Sequence, residues 1–513
     1  MGSECTCGGV SANVTKIVRS FLAAADDGDH RTVRTLVDEH GLVLCFYVPP
    51  ARLLRILNAT VAADPMLSDI AQVLQLFLSP LKTRRLRIGA VADGVGHRGS
   101  AALSSKAHLL YMLDLRLKGH PKAAARHSQG LREGTATIHP LRDACDGWPQ
   151  FVAVQRGITE MLAGDFTAAL TSFQEAQLRA TTPGLEFLHR EALARAALIH
   201  ATFGDAVVAA NLVARAASTP RTASWLEASL DVTVALVEVM VEQDPVVGIR
   251  ILSELDQSHI GEMWPFFIHA EYRVLEVAGA YSRVSRRLEH LAKLPFARTD
   301  GEGYSGSVLA LAEASNHIAT GALRQAKTHL ARADQSVVLT RVMSALLEAQ
   351  TGTSQKAIAL AREIRQHTVH LRRMEIWRVS ILAGAYLAQG DGASAVNALQ
   401  EVGQLDRPLD AHEATYFSAE LRALGEQHVP KWPELAKVSV TYMDRLPNQG
   451  ELLTGRELEV LRLLARGLSR QEISDTLFVT LNTLKSQLRS VYKKLGASSK
   501  EEALRKASSR GLV

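Results

Sequence analysis

Cysteine and aromatic residues are both scarce in this 513-residue chain, and each scarcity removes a class of protein. Cys5, Cys7, Cys45 and Cys145 are too few and too scattered for a disulfide framework or a four-ligand zinc site. Cys5-Thr6-Cys7 alone has chelating spacing, and no companion His/Cys pair lies near it, so no metal and no cofactor is expected. A reducing cytoplasm suits such a chain. Aromatics make up only 5% while alanine and leucine dominate, a bias toward stacked helices and away from a β-rich fold. No stretch reaches the roughly 18 apolar residues that span a bilayer, and no positive segment followed by an apolar run opens the chain. Met1 to Thr6 has the form of a myristoylation signal, but that signal presupposes a eukaryotic host; no membrane partner is expected.

Catalytic motifs are missing too. There is no phosphate loop: the run Gly89-Ala90-Val91-Ala92-Asp93-Gly94-Val95-Gly96 lacks the lysine and hydroxyl that grip phosphate and Mg²⁺. Neither a G-x-S-x-G elbow nor an H-E-x-x-H helix occurs, and the 18 histidines show no ligand spacing. The chain is not expected to be an enzyme.

What is present is helix. At this length two or more structural units are expected. From about residue 105 to 428 a phrase recurs: an apolar helix, a turn containing glycine, then a helix opening with small residues. Its clearest copy runs from Leu162 to Phe173. There Gly164 suits the end of one helix and Asp165 the cap of the next, while Phe166, Ala169, Leu170 and Phe173 recur at i, i+3, i+4 and i+7. Related turns fall at Gly119, Gly204, Gly279, Gly321, Gly352 and Gly390, with a variant at Asp244, at helical-hairpin intervals. Hairpins that cannot each bury an apolar face must stack, which predicts an α-solenoid with an elongated concave surface over 105–428; a non-repetitive helical bundle is the alternative. The pattern resembles tetratricopeptide repeats. Residues 1–104 read as further, poorly matched hairpins, with a turn at Asp27-Gly28-Asp29 and a break at Val48-Pro49-Pro50. The run Met263-Trp264-Pro265-Phe266-Phe267 reads more readily as core than as the lining of an inducer pocket.

Residues 429–450, punctuated by Pro430, Pro433, Pro447 and Gly450, read as a linker to a different unit at 451–513. Of the 58 lysines and arginines 12 fall in that tail, against 7 of the 53 acids, so the remainder is balanced at 46 of each and the whole positive excess sits at the C-terminus. Such asymmetry suits a polyanionic partner. Thr454-Gly455-Arg456-Glu457 and Ser469-Arg470-Gln471-Glu472 both have the capping-box form. The first opens a helix with Leu458, Leu461, Leu464 and Ala465 as its apolar stripe, ended by Gly467; the second opens a short helix holding Ile473 and Leu477. Thr480 then caps a third helix, about 481–495, with Leu484, Leu488, Val491 and Leu495 inward and Lys485, Arg489 and Lys493 at i, i+4 and i+8 on a neighbouring face. Lys494 adds a charge, and Gly496 stops the helix. A helix half core and half cationic, held across a short turn by its predecessor, is what reading the major groove of double-stranded DNA requires. A fourth helix begins after Ser498.

These residues resemble the LuxR-type helix-turn-helix family: Leu453 to Leu461, Ala465 to Ile473, and Thr483-Leu484-Lys485 through Lys494-Leu495-Gly496 carry the likeness in the right order and spacing. The resemblance implies that Lys485, Ser486 and Arg489 sit where base-contacting side chains lie, with Lys493 along the same face. It places Thr480, Thr483 and Gln487 near the DNA backbone. Ala503, Leu504 and Ala507 of the fourth helix can pack on the bundle or on a second copy, and the resemblance puts that helix at the contact of a homodimer. Gln487 stands where the family usually has His, and Ser474 where it usually has Ala. Helical repeats followed by this domain are similar to the large MalT-like LuxR regulators, but their upstream ATPase module has no counterpart here and nucleotide-driven switching is not implied. The whole reads as an all-α protein, a solenoid of helical hairpins followed by a four-helix helix-turn-helix domain. It is expected to be a bacterial, nucleoid-associated transcription regulator whose repeats take a small-molecule inducer or a protein partner. The alternative is a repeat scaffold whose terminal domain mainly dimerises.

Overall fold

The computed structural model describes residues 7–63, 69–78, 105–133, 147–179, 182–433, 453–509 and 513. Residues 1–6 with Cys5, Cys145, the glycine-rich run 89–96 and residues 434–450 of the expected linker lie outside the described residues. Within them every regular element is a helix, so the fold is all-α. No helix there is long and apolar enough to cross a membrane.

Four helices come first: α1 (Cys7–Asp26), α2 (His30–Tyr47), α3 (Pro50–Ala63) and α4 (Asp69–Leu78). The hairpins follow as α5 (Ser105–Leu117) with α6 (Pro121–Glu133), α7 (Trp148–Ala163) with α8 (Phe166–Leu178), and α9 (Glu186–Phe203) with α10 (Ala206–Ser218). Next come α11 (Glu227–Val241) with α12 (Pro245–Glu254), α13 (Trp264–Val277) with α14 (Tyr281–Leu291), and α15 (Gly303–Ala319) with α16 (Leu323–Leu330). The stack ends with α17 (Val338–Gln350), α18 (Ser354–Glu363), the one-turn α19 (Arg365–Thr368), α20 (Arg372–Ala388), α21 (Gly392–Gln400) and α22 (Ala419–His428).

The local chemistry of the turns is as the sequence predicts. Gly164 ends α7 at φ +87°, where an L side chain would be strained, and the Asp165 carboxylate accepts from the Ala168 amide at 3.0 Å to cap α8. Asp29, Asp205, Asp244 and Asp391 cap their helices in the same way. Phe166, Ala169 and Phe173 are buried, and Leu170 is half-buried beside them. Gly119, also at φ +87°, has a second reason to be glycine: a Cβ there would strike the backbone of Arg298.

That close approach shows where the hairpins go. The stack does not stay open, as an elongated concave surface would; it winds back on itself. Glu302 accepts from the Lys122 and Ala123 amides at 3.1 and 3.2 Å, satisfying first-turn donors of α6 from 180 residues away. The Lys122 ammonium lies 3.1 Å from Asp334. Further along, Arg407 donates to both Asp205 oxygens at 3.0 and 3.1 Å, and the Arg373 amide donates to the Gly204 carbonyl at 3.2 Å. The winding encloses a cavity of about 550 Å³ bordered by α9, α13, α15, α17, α20 and residues 411–416.

Two boundaries expected from sequence are not boundaries in the packing. One core runs from Val14 through Phe46, Trp148 and Phe187 to Leu230, so helices before residue 105 share an interior with the repeats. Phe46 lies 4.6 Å from Phe187, and the Trp225 indole donates to the Cys45 carbonyl at 2.8 Å. The first residues of the expected linker also belong to the stack: Trp432 packs over Gly425 and edge-on to Phe417 at 5.1 Å. Trp264, Phe266 and Phe267 are buried core, Trp264 stacking on Phe296 at 4.6 Å, and none of them borders the cavity.

Candidate nucleic-acid interface

The C-terminal unit consists of α23 (Gly455–Ala465), α24 (Arg470–Thr476), α25 (Leu481–Leu495) and α26 (Lys500–Ser509). Both capping boxes form. Thr454 accepts from the Glu457 amide at 3.3 Å while Glu457 accepts from the Thr454 amide at 2.6 Å; Ser469 and Glu472 do the same at 3.3 and 2.7 Å. Gly467 at φ +88° and Gly496 at φ +63° end α23 and α25.

Glu457 does more than cap. Its carboxylate also accepts from Ser490 at 2.6 Å and from the Lys494 ammonium at 2.8 Å, which pins the start of α23 to the last turns of α25. Burial alone would raise its pKa, but the hydrogen bonds from Lys494, Ser490 and Thr454 outweigh burial and hold it at about 2. Lys494 is thereby drawn inward, away from the cationic face.

Leu458, Val460, Leu461 and Leu464 of α23 meet Ile473, Leu477, Leu484, Leu488, Val491 and Leu495 in the core of the domain. Ala465, expected in this stripe, is exposed, and Val460 takes the inward place. With the apolar side of α25 fixed, its opposite side is presented outward. Lys485, Ser486, Arg489 and Lys493 are exposed. None of the three cations has a carboxylate partner among the described residues. They line a shallow cleft of about 370 Å³ together with Tyr492 and Arg470. Arg470 comes from the first turn of α24 and is a cation the sequence reading did not include.

At the entrance to α25, Thr480 and Thr483 are exposed and bonded to each other, Thr480 accepting from the Thr483 amide at 3.2 Å. Phe478, just before them, holds φ at +50° and is 96% exposed, an unusual backbone and an unusual surface for a phenylalanine. The sequence gives no sign of it beyond a short turn. Gln487 is half-buried with its carbonyl oxygen enclosed and unbonded. A phosphate oxygen can accept only from the amide nitrogen, so this orientation removes nothing that a DNA backbone contact needs. Ser474 is buried, and its hydroxyl donates to the Gln471 carbonyl at 2.8 Å, which satisfies the polar atom that alanine would lack.

Of the two packings open to the fourth helix, Ala503 and Ala507 take the one on their own bundle. Ala503 and Ala507 are fully buried against Leu458, Leu461, Val491 and Leu495 of their own domain, because α26 uses its small-residue face to close the bundle. Leu504 is half-buried on the same core. A second copy cannot reach Ala503 or Ala507 without opening the domain. Among the described residues no group of His, Cys, Asp and Glu is placed to hold a metal.

With this geometry in view, comparison with known proteins places the domain. Residues 451–507 match the family described as bacterial regulatory proteins, luxR family. The chain is similar to the transcriptional regulatory protein LiaR of Bacillus subtilis (strain 168), 33% identical over 110 residues, which cover 20% of this chain and 50% of that protein. It is also similar to the HTH-type transcriptional regulator MalT of Yersinia pestis (strain Pestoides F), 29% identical over 124 residues, which cover 23% of this chain and 13% of that protein. The chain thus spans half the length of the first relative and a small part of the second. On the two capping boxes, the buried stripe of α25 and the matched family, the C-terminal domain of this chain is a helix-turn-helix of the LuxR family.

Proposed function

We propose that the chain is a sequence-specific DNA-binding transcription regulator in which α25 enters the major groove. The observation that carries this reading is the exposed row Lys485, Arg489 and Lys493, without a carboxylate partner among the described residues and joined by Arg470 in one cleft on the side of α25 away from its core. Lys485, Ser486 and Arg489 face base edges, where a lysine or arginine paired with guanine discriminates by about 1–3 kcal/mol. Thr480, Thr483 and Gln487 lie toward the phosphates, with Lys493 further along the cationic face. Two copies bind a two-fold site, and their contact uses the outer side of α26 rather than Ala503 and Ala507. The repeats take the signal, a ligand or a partner, and pass it to the tail by favouring one of two states.

The test is selection of the full chain on a library of random duplex DNA at several salt concentrations. Wild type should select a two-fold sequence with affinity falling as salt rises, and Lys485→Ala or Arg489→Ala should lose about 1–3 kcal/mol of discrimination. If wild type binds no DNA, or binds as well after both substitutions, the recognition-helix assignment fails and a repeat scaffold that dimerises through its tail becomes the better reading.

A further inference from the structure

The cavity inside the wound stack contains two arginines with no carboxylate at ion-pair distance among the described residues. Arg273 donates to the Val239 and Glu242 carbonyls at 3.0 and 3.1 Å, and Arg373 to the Thr202 carbonyl at 3.1 Å. Both serve as caps on the carbonyl ends of α11 and α9, which accounts for their place in the fold. It does not account for their spare capacity, since a guanidinium carries five N–H donors and Arg373 commits one of them to a described partner. Neither has an ion-pair partner among the described residues.

The other titratable groups around them do not supply the missing charge. Burial raises Glu276 to about 8, against the opposing Ser315 hydrogen bond and the Arg273 charge, so it is largely protonated at neutral pH. Its Oε1 atom is buried with no hydrogen-bond partner. Burial, aided by both arginines, lowers His269 to about 3 and lowers His412 as well, leaving both imidazoles neutral. Burial and the Arg373 charge bring Arg273 itself down to about 10. The Glu242 carboxylate, whose charge acts on Arg273, is engaged by the Gln243 and Asp244 amides, and Asp410 and Glu413 act on His412, so among the described residues no carboxylate pairs directly with either cation.

The rest of the lining is largely apolar, and Trp377 follows Arg373 by one turn of α20. Trp377 and Tyr416 meet edge to face at 5.6 Å, with Met343 and Leu346 of α17 beside them. The volume of about 550 Å³ lies in the range of small-molecule sites. An apolar wall, a few convergent polar groups and a guanidinium fork suited to a carboxylate are the features of a site for one chemical class.

We propose that this cavity binds a small aromatic carboxylic acid, its carboxylate held by Arg273 and Arg373 and its ring against Trp377, Tyr416 and Met343. The Glu276 carboxyl donates to the second carboxylate oxygen or to a ring substituent. This deepens the regulator reading by naming the ligand class the repeats would sense, and it rests on that reading only for its regulatory consequence.

The test titrates the full chain with 1-naphthoate, indole-3-acetate and 4-hydroxyphenylacetate, each beside its uncharged amide, by calorimetry and tryptophan fluorescence. At least one acid should bind about tenfold or more tightly than its amide, and Arg373→Gln should weaken it by a similar factor, as expected for loss of a charged hydrogen bond. Met343→Trp, which fills the cavity from α17, should also abolish binding, and unchanged thermal midpoints of both variants guard against a folding defect. No binding by any acid, equal binding by the amides, or undiminished binding to Arg373→Gln or Met343→Trp would overturn the site. DNA affinity measured in parallel separates the two claims. DNA binding without acid binding retires the cavity alone, whereas acid binding that leaves DNA affinity unchanged keeps the site and retires its part in regulation.

Discussion

Glu457 ties three parts of the terminal domain together. It caps α23, accepts from Ser490 and holds the Lys494 ammonium, all with one carboxylate. Replacement by alanine should cost about 1–3 kcal/mol, because it leaves the Thr454 amide, Ser490 and Lys494 without their acceptor, read as a lower midpoint of the terminal domain in thermal unfolding. The pH sign follows from a folded pKa of about 2 against an ordinary 4.5. Its contribution is full above about pH 4.5 and is lost as pH falls toward about 2, so the advantage of wild type over Glu457→Gln should shrink across that window in acid unfolding. On the DNA side, Arg470→Ala should weaken binding about equally for all sequences and lower the salt slope by about one. A binding curve that instead changes preference at one base pair would move Arg470 from phosphate to base readout. The row Lys485, Arg489 and Lys493 was legible because residues four apart share a helix face. Arg470 was not, because its approach depends on how two helices cross, and neither was Phe478, whose left-handed backbone has no glycine or asparagine to announce it.

At the scale of the element, most hairpin turns carry a local signal: glycine with a capping Asp at Gly28, Gly164, Gly204 and Gly390, glycine alone at Gly279, Gly321 and Gly352, and Asp244 without a glycine. What the spacing could not give is the winding. It is built from pairs such as Lys122 with Asp334 and Arg407 with Asp205, about 200 residues apart, whose partners have no sequence periodicity to link them. Gly119 separates the two kinds of information. As a turn it needs only a positive φ, which asparagine tolerates better than other side chains; against the Arg298 backbone it needs no side chain at all. Gly119→Asn should therefore destabilise the stack nearly as much as Gly119→Ala, whereas Gly390→Asn, where a Cβ meets open space, should cost much less. Equal midpoints for the two asparagine variants in thermal unfolding would mean that the α5–α6 turn does not sit against residue 298.

For the molecule as a whole, winding changes the expected unfolding. An open array gains its stability from neighbouring repeats and can fray from its ends. Here Arg407 bridges Asp205 and Glu413, and Arg372 holds Glu413 at 2.7 Å, so distant parts of the stack are tied together. Arg407→Ala should accelerate amide exchange both at the start of α10 and in residues 408–416, whereas an open array would show the effect only near residue 407. The domain limits were the least legible feature, since the core running from Val14 to Leu230 ignores the break in sequence character near residue 105. One detail of the packing reaches further. Tyr416 borders the hollow interior, and its chain neighbour Phe417 receives the ring of Trp432, the anchor nearest to where the described stack stops at residue 433. The cavity wall and the residues after α22 therefore share one aromatic contact, and Phe417→Leu should loosen both together, read as faster amide exchange at Tyr416 and Trp432 alike.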